Sequence, residues 1–407
     1  MSYIQRNRDV VTGGDNLEHL YTFKDFPVFM GCTDQPKEKD LVADMNWHIS
    51  PTSGMIQLNP LLPLEIVYAE EHGSGTVGDV WNEHHAAFAD FVTKHTSVNY
   101  VLEIGGLHGH LAKKCLEVRD LNWTIVEPNP RVDATTPVKV IKGFFDDKFV
   151  SEEKYDAVVH SHVLEHIYDP MTFMKHIANF MNKDSLLIMS VPNLEAMLRN
   201  KYTNCLNFEH TYFASEDFVK YSLSYFGYEL IETNYFKEDH SVFFCAKKVK
   251  DSTEEMYIPE EFYSKNKKIF EDYVTYHKGL VKELNKIEGN VYLFGAHIFS
   301  QYLLQFGLDA TRIVNILDND PNKQGKRLYG TSLIVKSPEV LKEVEEETVI
   351  DWFGADAVTG EFIDRIRHNQ YVKPNLMHPN ELGHKLIAER LASWIAQVQT
   401  GEHTDVV

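Results

Sequence analysis

Tyr100-Val101-Leu102-Glu103-Ile104-Gly105-Gly106-Leu107-His108-Gly109 is an apolar run carrying one acid, followed by a turn with three glycines. A helical pattern begins directly after it, over 111–118. A strand that runs through such a turn into a helix brings backbone N–H groups up to a ligand, and glycine is needed where a side chain would collide with it. The spacing is GGxxG, with Glu103 two positions ahead of the first glycine. Dinucleotide-binding turns read GxGxxG, a spacing set by the pyrophosphate. The turn therefore argues against a nicotinamide-dependent dehydrogenase.

Outward from this turn, strand-like and helix-like segments alternate. Val80, Trp81, His84, Phe88, Phe91 and Val92 recur at helical steps over 78–94. Strands are expected at 123–127, 138–141, 155–161 and 185–191, with a helix over 170–181. Two late strands, 228–232 and 241–246, are separated by a short polar stretch, as in a hairpin. This alternation predicts an α/β fold built on a mainly parallel, doubly wound sheet with a reversed final strand. Residues 1–75 read as irregular, with Gly13-Gly14 and Pro27, Pro36, Pro51, Pro60 and Pro63; apolar pieces such as 55–58 could be strands. After a charged stretch over 247–268, a second alternating unit follows, with strands at 290–296, 312–318 and 348–353 and a helix at 298–306. A chain of 407 residues exceeds one typical core, and the expected division is 1–75, 76–250 and 251–407.

The net charge of -20, from 40 basic and 60 acidic residues, argues against a nucleic-acid partner, because neutralising phosphates requires a basic surface. A small phosphorylated substrate needs only a local positive pocket. Cys32, Cys115, Cys205 and Cys245 are far apart and form no CxxC pair, so neither a zinc ribbon nor a disulfide framework is indicated. Arg6, Arg8 and Asp9 occupy the first ten residues, where a secretory leader would be apolar. No apolar run of about 18 residues is present to span a membrane. The expectation is a reduced, cytoplasmic protein of undetermined oligomeric state.

Four stretches in order carry a resemblance. The pattern E-x-G-G-x-x-G-x-L from Glu103 through Gly105, Gly106 and Gly109 resembles motif I of the class I S-adenosylmethionine-dependent methyltransferases. Glu127, followed by Pro128, ends the second strand 24 residues after Glu103; an acid there can accept hydrogen bonds from both ribose hydroxyls, or stand as a solvated strand-end carboxylate. Gly143-Phe144-Phe145-Asp146 lies where this family lines its adenine pocket, although either aromatic could equally be core. Ser161 and His162 lead into Val163-Leu164-Glu165-His166-Ile167-Tyr168-Asp169-Pro170, similar to the family's segment after strand four. The resemblance implies a Rossmann-like sheet, S-adenosylmethionine as cofactor, and these residues around it.

Over 75–345 the chain further resembles the sugar C-methyltransferases that act on nucleotide-linked deoxy-keto-sugars. Asn207-Phe208-Glu209-His210-Thr211-Tyr212-Phe213-Ala214-Ser215 is similar to that family's Glu-His segment. Phe294-Gly295-Ala296, with Asp318-Asn319-Asp320-Pro321-Asn322-Lys323-Gln324-Gly325-Lys326 and Gly330-Thr331, resembles its C-terminal Rossmann-like domain. The resemblance implies a nucleotide-linked keto-sugar as acceptor, in bacterial surface-polysaccharide or secondary-metabolite biosynthesis. Carbon methylation needs a base next to a carbonyl, and histidine titrates near neutrality. His210 is the first candidate, with Glu209 orienting it or binding sugar hydroxyls, and His166 polarising the carbonyl. Structural roles remain open for both histidines. The same base would serve O- or N-methylation of a sugar or other small metabolite. A non-catalytic nucleotide-sugar-binding chain is the reading from another class, against which Glu103, Glu127 and His166 argue.

That family's N-terminal domain carries a cysteine-rich zinc site. Here Cys32, with scattered His48, His72, His84 and His85, makes no tetrahedral set, so no metal is expected. Near the C-terminus, Asn375-Leu376-Met377-His378-Pro379-Asn380-Glu381-Leu382-Gly383-His384 resembles a block of SGNH-type esterases. No Gly-Asp-Ser nucleophile accompanies it, so it reads as a turn before a helix over 385–395.

Overall fold

The computed structural model describes residues 3–68, 79–95, 99–252, 258–289, 291–343, 348–351 and 354–357. The esterase-like stretch and the helix expected after it lie outside the described residues. The chain forms two compact units, Met1–Phe23 with Asp44–Val274, and Lys24–Ala43 with Thr275–Val407. Residues 44–68 fall in the same unit as the main sheet.

In the first unit that sheet comprises β1 (Tyr100–Ile104), β2 (Asn122–Glu127), β3 (Lys139–Lys142), β4 (Ala157–Ser161), β5 (Leu186–Pro192), β6 (Tyr228–Phe236) and β7 (Ser241–Lys248). Their order is β3-β2-β1-β4-β5-β7-β6. The first five strands pair in parallel, and β7 runs antiparallel to both β5 and β6. Val101 and Leu102 of β1 and Ala157, Val158 and Val159 of β4 are buried, the near-continuous apolar reading of strands covered on both faces. The expected hairpin is present and reverses the last strand. It differs from the dinucleotide-binding order 3-2-1-4-5-6 in that β7 is placed between β5 and β6.

Helices α1 (Asp79–His95) and α2 (His110–Val118) contribute Phe88, Val92, Leu111, Ala112 and Cys115 to a core shared with Trp123, Ile125, Val159 and Phe243. Helix α3 (Pro170–Phe180) begins sharply: Asp169 accepts the backbone N–H of Thr172, and Pro170 takes the first helical position. That cap fixes where the segment after β4 ends. The chain winds outward from β1 through β2 and β3, then returns to β4 on the other side of β1. Ligands of such sheets sit beyond the carboxyl ends of the strands at this reversal.

The N-terminal stretch is not irregular, which corrects the sequence reading. Glu18–Pro27, Val42–Ile49 and Ile56–Leu58 form a three-stranded sheet. Ala43, Met45, Trp47 and Ile49 are buried and alternate with Asp44, Asn46 and His48, the period-two pattern of a half-buried strand. Ile56–Leu58 also holds the later candidate segment: Leu58 N–H donates to the Thr211 carbonyl at 2.9 Å, and Phe213 N–H to that of Ile56 at 2.8 Å.

The second unit has a five-stranded sheet in the order Val335–Lys336, Ile313–Leu317, Val291–Phe294, Thr348–Asp351, Gly354–Ala357. The first four pair in parallel and the last is antiparallel. Helix Ile298–Gln305 connects two of them. Asp318, after Ile313–Leu317, is buried; its Oδ2 accepts Ala296 N–H and Lys323 Nζ, both at 2.9 Å. The acid-to-lysine spacing therefore closes an internal pair. Among the described residues, no helix is long and apolar enough to cross a membrane.

Candidate active site

The glycine turn is shaped by its own neighbours as well as by any ligand. Gly105 and Gly109 have φ of 80° and 67°, the left-handed region that favours glycine. A Cβ on Gly105 would lie 2.6 Å from Val163 Cγ2, so the turn and the segment after β4 pack directly together. A Cβ on Gly106 would lie 2.8 Å from Glu103 Cδ and 2.9 Å from Ile125 Cγ2. Glu103 is buried beneath the turn, and Trp123 Nε1 donates to its Oε2 at 2.7 Å. Burial pushes its carboxyl up to about 7, opposed by the indole bond and helped by Glu127. Gly106→Ala is expected to destabilise the domain by about 1–3 kcal/mol, since either Glu103 or Ile125 must move. Thermal melting checks this; an unchanged Tm would show that the turn has room to spare.

Glu127 ends β2 almost buried, and its Oε1 accepts Asn129 N–H at 2.9 Å, with Pro128 between them. Burial raises its pKa. The two aromatic candidates are separated by the structure. Phe144 is 67% exposed, whereas Phe145 is buried against Phe149, Phe173, His176 and Phe180. Ser161, at the end of β4, pairs in register with Ser190 of β5. His162 follows in a left-handed conformation, φ 51°. Its Nε2 lies 2.9 Å from Ser241 Oγ, and its ring is 4.9 Å from Trp81 and 5.1 Å from His84. Burial drives its pKa down to about 3, so it is neutral at ordinary pH.

Beyond β4 the remaining candidates converge. The His166 and His210 ring centroids are 5.0 Å apart. His166 Nδ1 lies 3.2 Å from the Tyr68 hydroxyl and 3.9 Å from Glu209 Oε2. Asn207 Oδ1 accepts the backbone N–H groups of Glu209 and His210, each at 2.8 Å, which fixes that turn. His210 Nδ1 lies 3.2 Å from the Cys205 carbonyl. A carbonyl oxygen can only accept, so Nδ1 carries the proton and neutral Nε2 keeps a lone pair. Burial lowers the His210 pKa, with Glu165 opposing. Arg6 ties the two segments together: Nη1 donates to the Thr211 carbonyl at 2.9 Å, and Nη2 to the Tyr168 carbonyl at 3.1 Å.

Residues 82–233 match the family model described as a methyltransferase domain. These residues form a methyltransferase domain. Among solved structures it is similar to a magnesium protoporphyrin IX methyltransferase from Synechocystis PCC 6803 with bound SAH, at 14% identity, 44% of this chain, 90% of that one and TM-score 0.34. A SAM-dependent methyltransferase from Thermotoga maritima is 18% identical over 42% of this chain and 91% of that one, TM-score 0.35. The N-methyltransferase NodS from Bradyrhizobium japonicum WM9 is 14% identical over 43% and 99%, TM-score 0.34. No curated protein matches the sequence.

The sequence reading left several residues around this site unassigned. Glu165 is the foremost: it is fully buried, and neither carboxylate oxygen has a hydrogen-bond partner. His162 Nδ1 is 3.1 Å from its Oε1 but not in hydrogen-bonding geometry. Its pKa is raised by burial, against the pull of His166 and His210. Trp81, hard to place from sequence, lies with its ring 5.0 Å from His240 as well as against His162. Tyr68, Trp123 and Arg6 act by holding His166, Glu103 and the Thr211 segment.

Proposed function

We propose that the enzyme methylates carbon of a nucleotide-linked keto-sugar, with His210 as the base. The observation that carries this reading is the neutral Nε2 lone pair of His210, set by the Cys205 carbonyl and placed with His166 and Glu209 beyond β4. His210 Nε2 takes a proton from the carbon beside the sugar carbonyl, and the C–H electron pair becomes the enolate. His166, with Tyr68 at its far nitrogen, faces the developing oxyanion, where a fixed donor is most effective. Glu209 holds sugar hydroxyls or orients His166. Bound S-adenosylmethionine would supply a methyl group on a positively charged sulfur, which keeps the C–S electron pair when the methyl leaves for the nucleophilic carbon.

The donor fits the residues at the reversal point of the sheet. Gly105, Gly106 and Gly109 would let the turn approach it, and Glu103 would supply the counter-charge for its ammonium. Glu127, with Pro128 setting the chain direction, accepts the ribose hydroxyls. Phe144, rather than buried Phe145, offers a face to the adenine, while Phe145 supports that wall. Ser161 and His162, at the end of β4, would help to line the same site. The four cysteines are free, and Cys115, Cys205 and Cys245 are buried, which suits a reducing compartment.

A buried acid that titrates near 7 links donor binding to pH. The ammonium favours ionised Glu103, so affinity is expected to fall as pH drops below about 7. Calorimetry at neutral pH in buffers of different ionisation enthalpy should register proton release; identical heats in all buffers would remove Glu103 from the donor site. The reading as a whole is tested by incubation with isotopically labelled donor and a panel of nucleotide-linked keto-sugars. Mass spectrometry should locate the label on carbon next to the keto group. Label on oxygen or nitrogen would make the enzyme an O- or N-methyltransferase, and no transfer to any sugar would exclude the acceptor class.

A further inference from the structure

We infer that Glu165, His166 and His210 form a binding site for a divalent transition-metal cation, and that a bound cation blocks His210 as a base. The second half rests on the function proposed above; the first half does not. One oxygen of Glu165 and one ring nitrogen from each histidine lie within 4.8 Å of one another. His166 Nε2 is 4.0 Å from Glu165 Oε1. Ligands at about 2.1 Å from one tetrahedral cation stand roughly 3.4 Å apart, so an inward shift of about 1 Å closes the set.

Two features favour a ligand here over an accidental meeting of side chains. A fully buried carboxylate with neither oxygen hydrogen-bonded is costly, and a cation would supply the missing counter-charge. His162 Nδ1 lies 3.1 Å from Oε1 but makes no hydrogen bond to it. The second feature is how the rings are held. His210 Nδ1 is engaged by the Cys205 carbonyl and His166 Nδ1 by the Tyr68 hydroxyl, so Nε2 of each is the available donor. Metal-binding histidines are held in this way through their second nitrogen. Glu209 lies on the Nδ1 side of His166 and is left outside the set, which keeps coordination positions open. Two imidazoles and one carboxylate suit zinc, iron(II), cobalt(II) or manganese(II) better than calcium or magnesium, which take mainly oxygen ligands.

Coordination consumes the Nε2 lone pair that deprotonates the acceptor, so occupancy and turnover exclude each other at this site. The test uses the full chain, stripped with chelator and titrated with cobalt(II), whose visible absorption reports ligation without donor or acceptor present. A band saturating at one equivalent is expected, with cobalt affinity reduced at least about 10-fold in Glu165→Gln and in His166→Gln. Circular dichroism confirms that each variant is folded; if one is not, the other decides. Absence of the band in the native chain, or unchanged affinity in a folded variant, would overturn the site. Adding zinc to the stripped enzyme should lower methyl transfer to a confirmed acceptor, and acceleration would overturn the competition. Because the cobalt band needs no turnover, the metal site and the methyl-transfer reading can fail separately.

Discussion

Replacing His210 by glutamine is expected to lower the rate of methyl transfer by about 100- to 10,000-fold, the range of a lost general base. Glutamine keeps the approximate length and a hydrogen-bonding end but has no lone pair basic enough to take a carbon-bound proton. The Cys205 carbonyl can still be satisfied by the amide, so the turn held by Asn207 should persist. Donor affinity is expected to stay within a few fold, which places the loss in kcat. The pH profile gives a second reading. Neutral His210 is the active form, and burial holds its pKa below the usual histidine value. Activity should therefore persist through mildly acidic pH and fall only as pH drops through that lowered pKa. This acid limb should vanish in His210→Gln, and a variant with full turnover would assign the base elsewhere.

Replacing Glu127 by alanine is expected to weaken S-adenosylmethionine binding by about 10- to 150-fold. A carboxylate accepting bonds from two ribose hydroxyls contributes about 1.5–3 kcal/mol, and each 1.4 kcal/mol is tenfold in affinity. The residue is nearly buried at the end of β2, with one oxygen already committed to Asn129 N–H. It is thus held in place before any ligand arrives, so little ordering entropy opposes binding. Glu127→Gln should recover part of the loss, because the amide oxygen still accepts. A dissociation constant unchanged in Glu127→Ala would place the ribose elsewhere.

The central sheet was legible because buried parallel strands are written as short apolar runs, and 100–104, 123–127 and 155–161 are such runs. The hairpin was legible from its short polar connection. The N-terminal sheet was obscured by prolines and by the polar half of Val42–Ile49; only pairing shows that Asp44, Asn46 and His48 share one face. The candidate site divides similarly. Glu103 and Glu127 stand out by position in a motif, yet the Trp123 bond depends on register. Glu103 pairs with Ile125, which sets Trp123 two residues along the neighbouring strand on the same face. Phe144 and Phe145 are adjacent and chemically identical, and only packing assigns one to the surface. Glu165 sits inside a quoted motif without distinction, because burial without a partner is a property of the fold around it.

The most direct test of the whole reading is a calorimetric titration of the full chain with S-adenosylmethionine at mildly alkaline pH, where Glu103 is ionised. Binding of one donor per chain in the micromolar range, weakened in Glu127→Ala, is the expected result. No measurable heat from the folded chain at millimolar donor would contradict it.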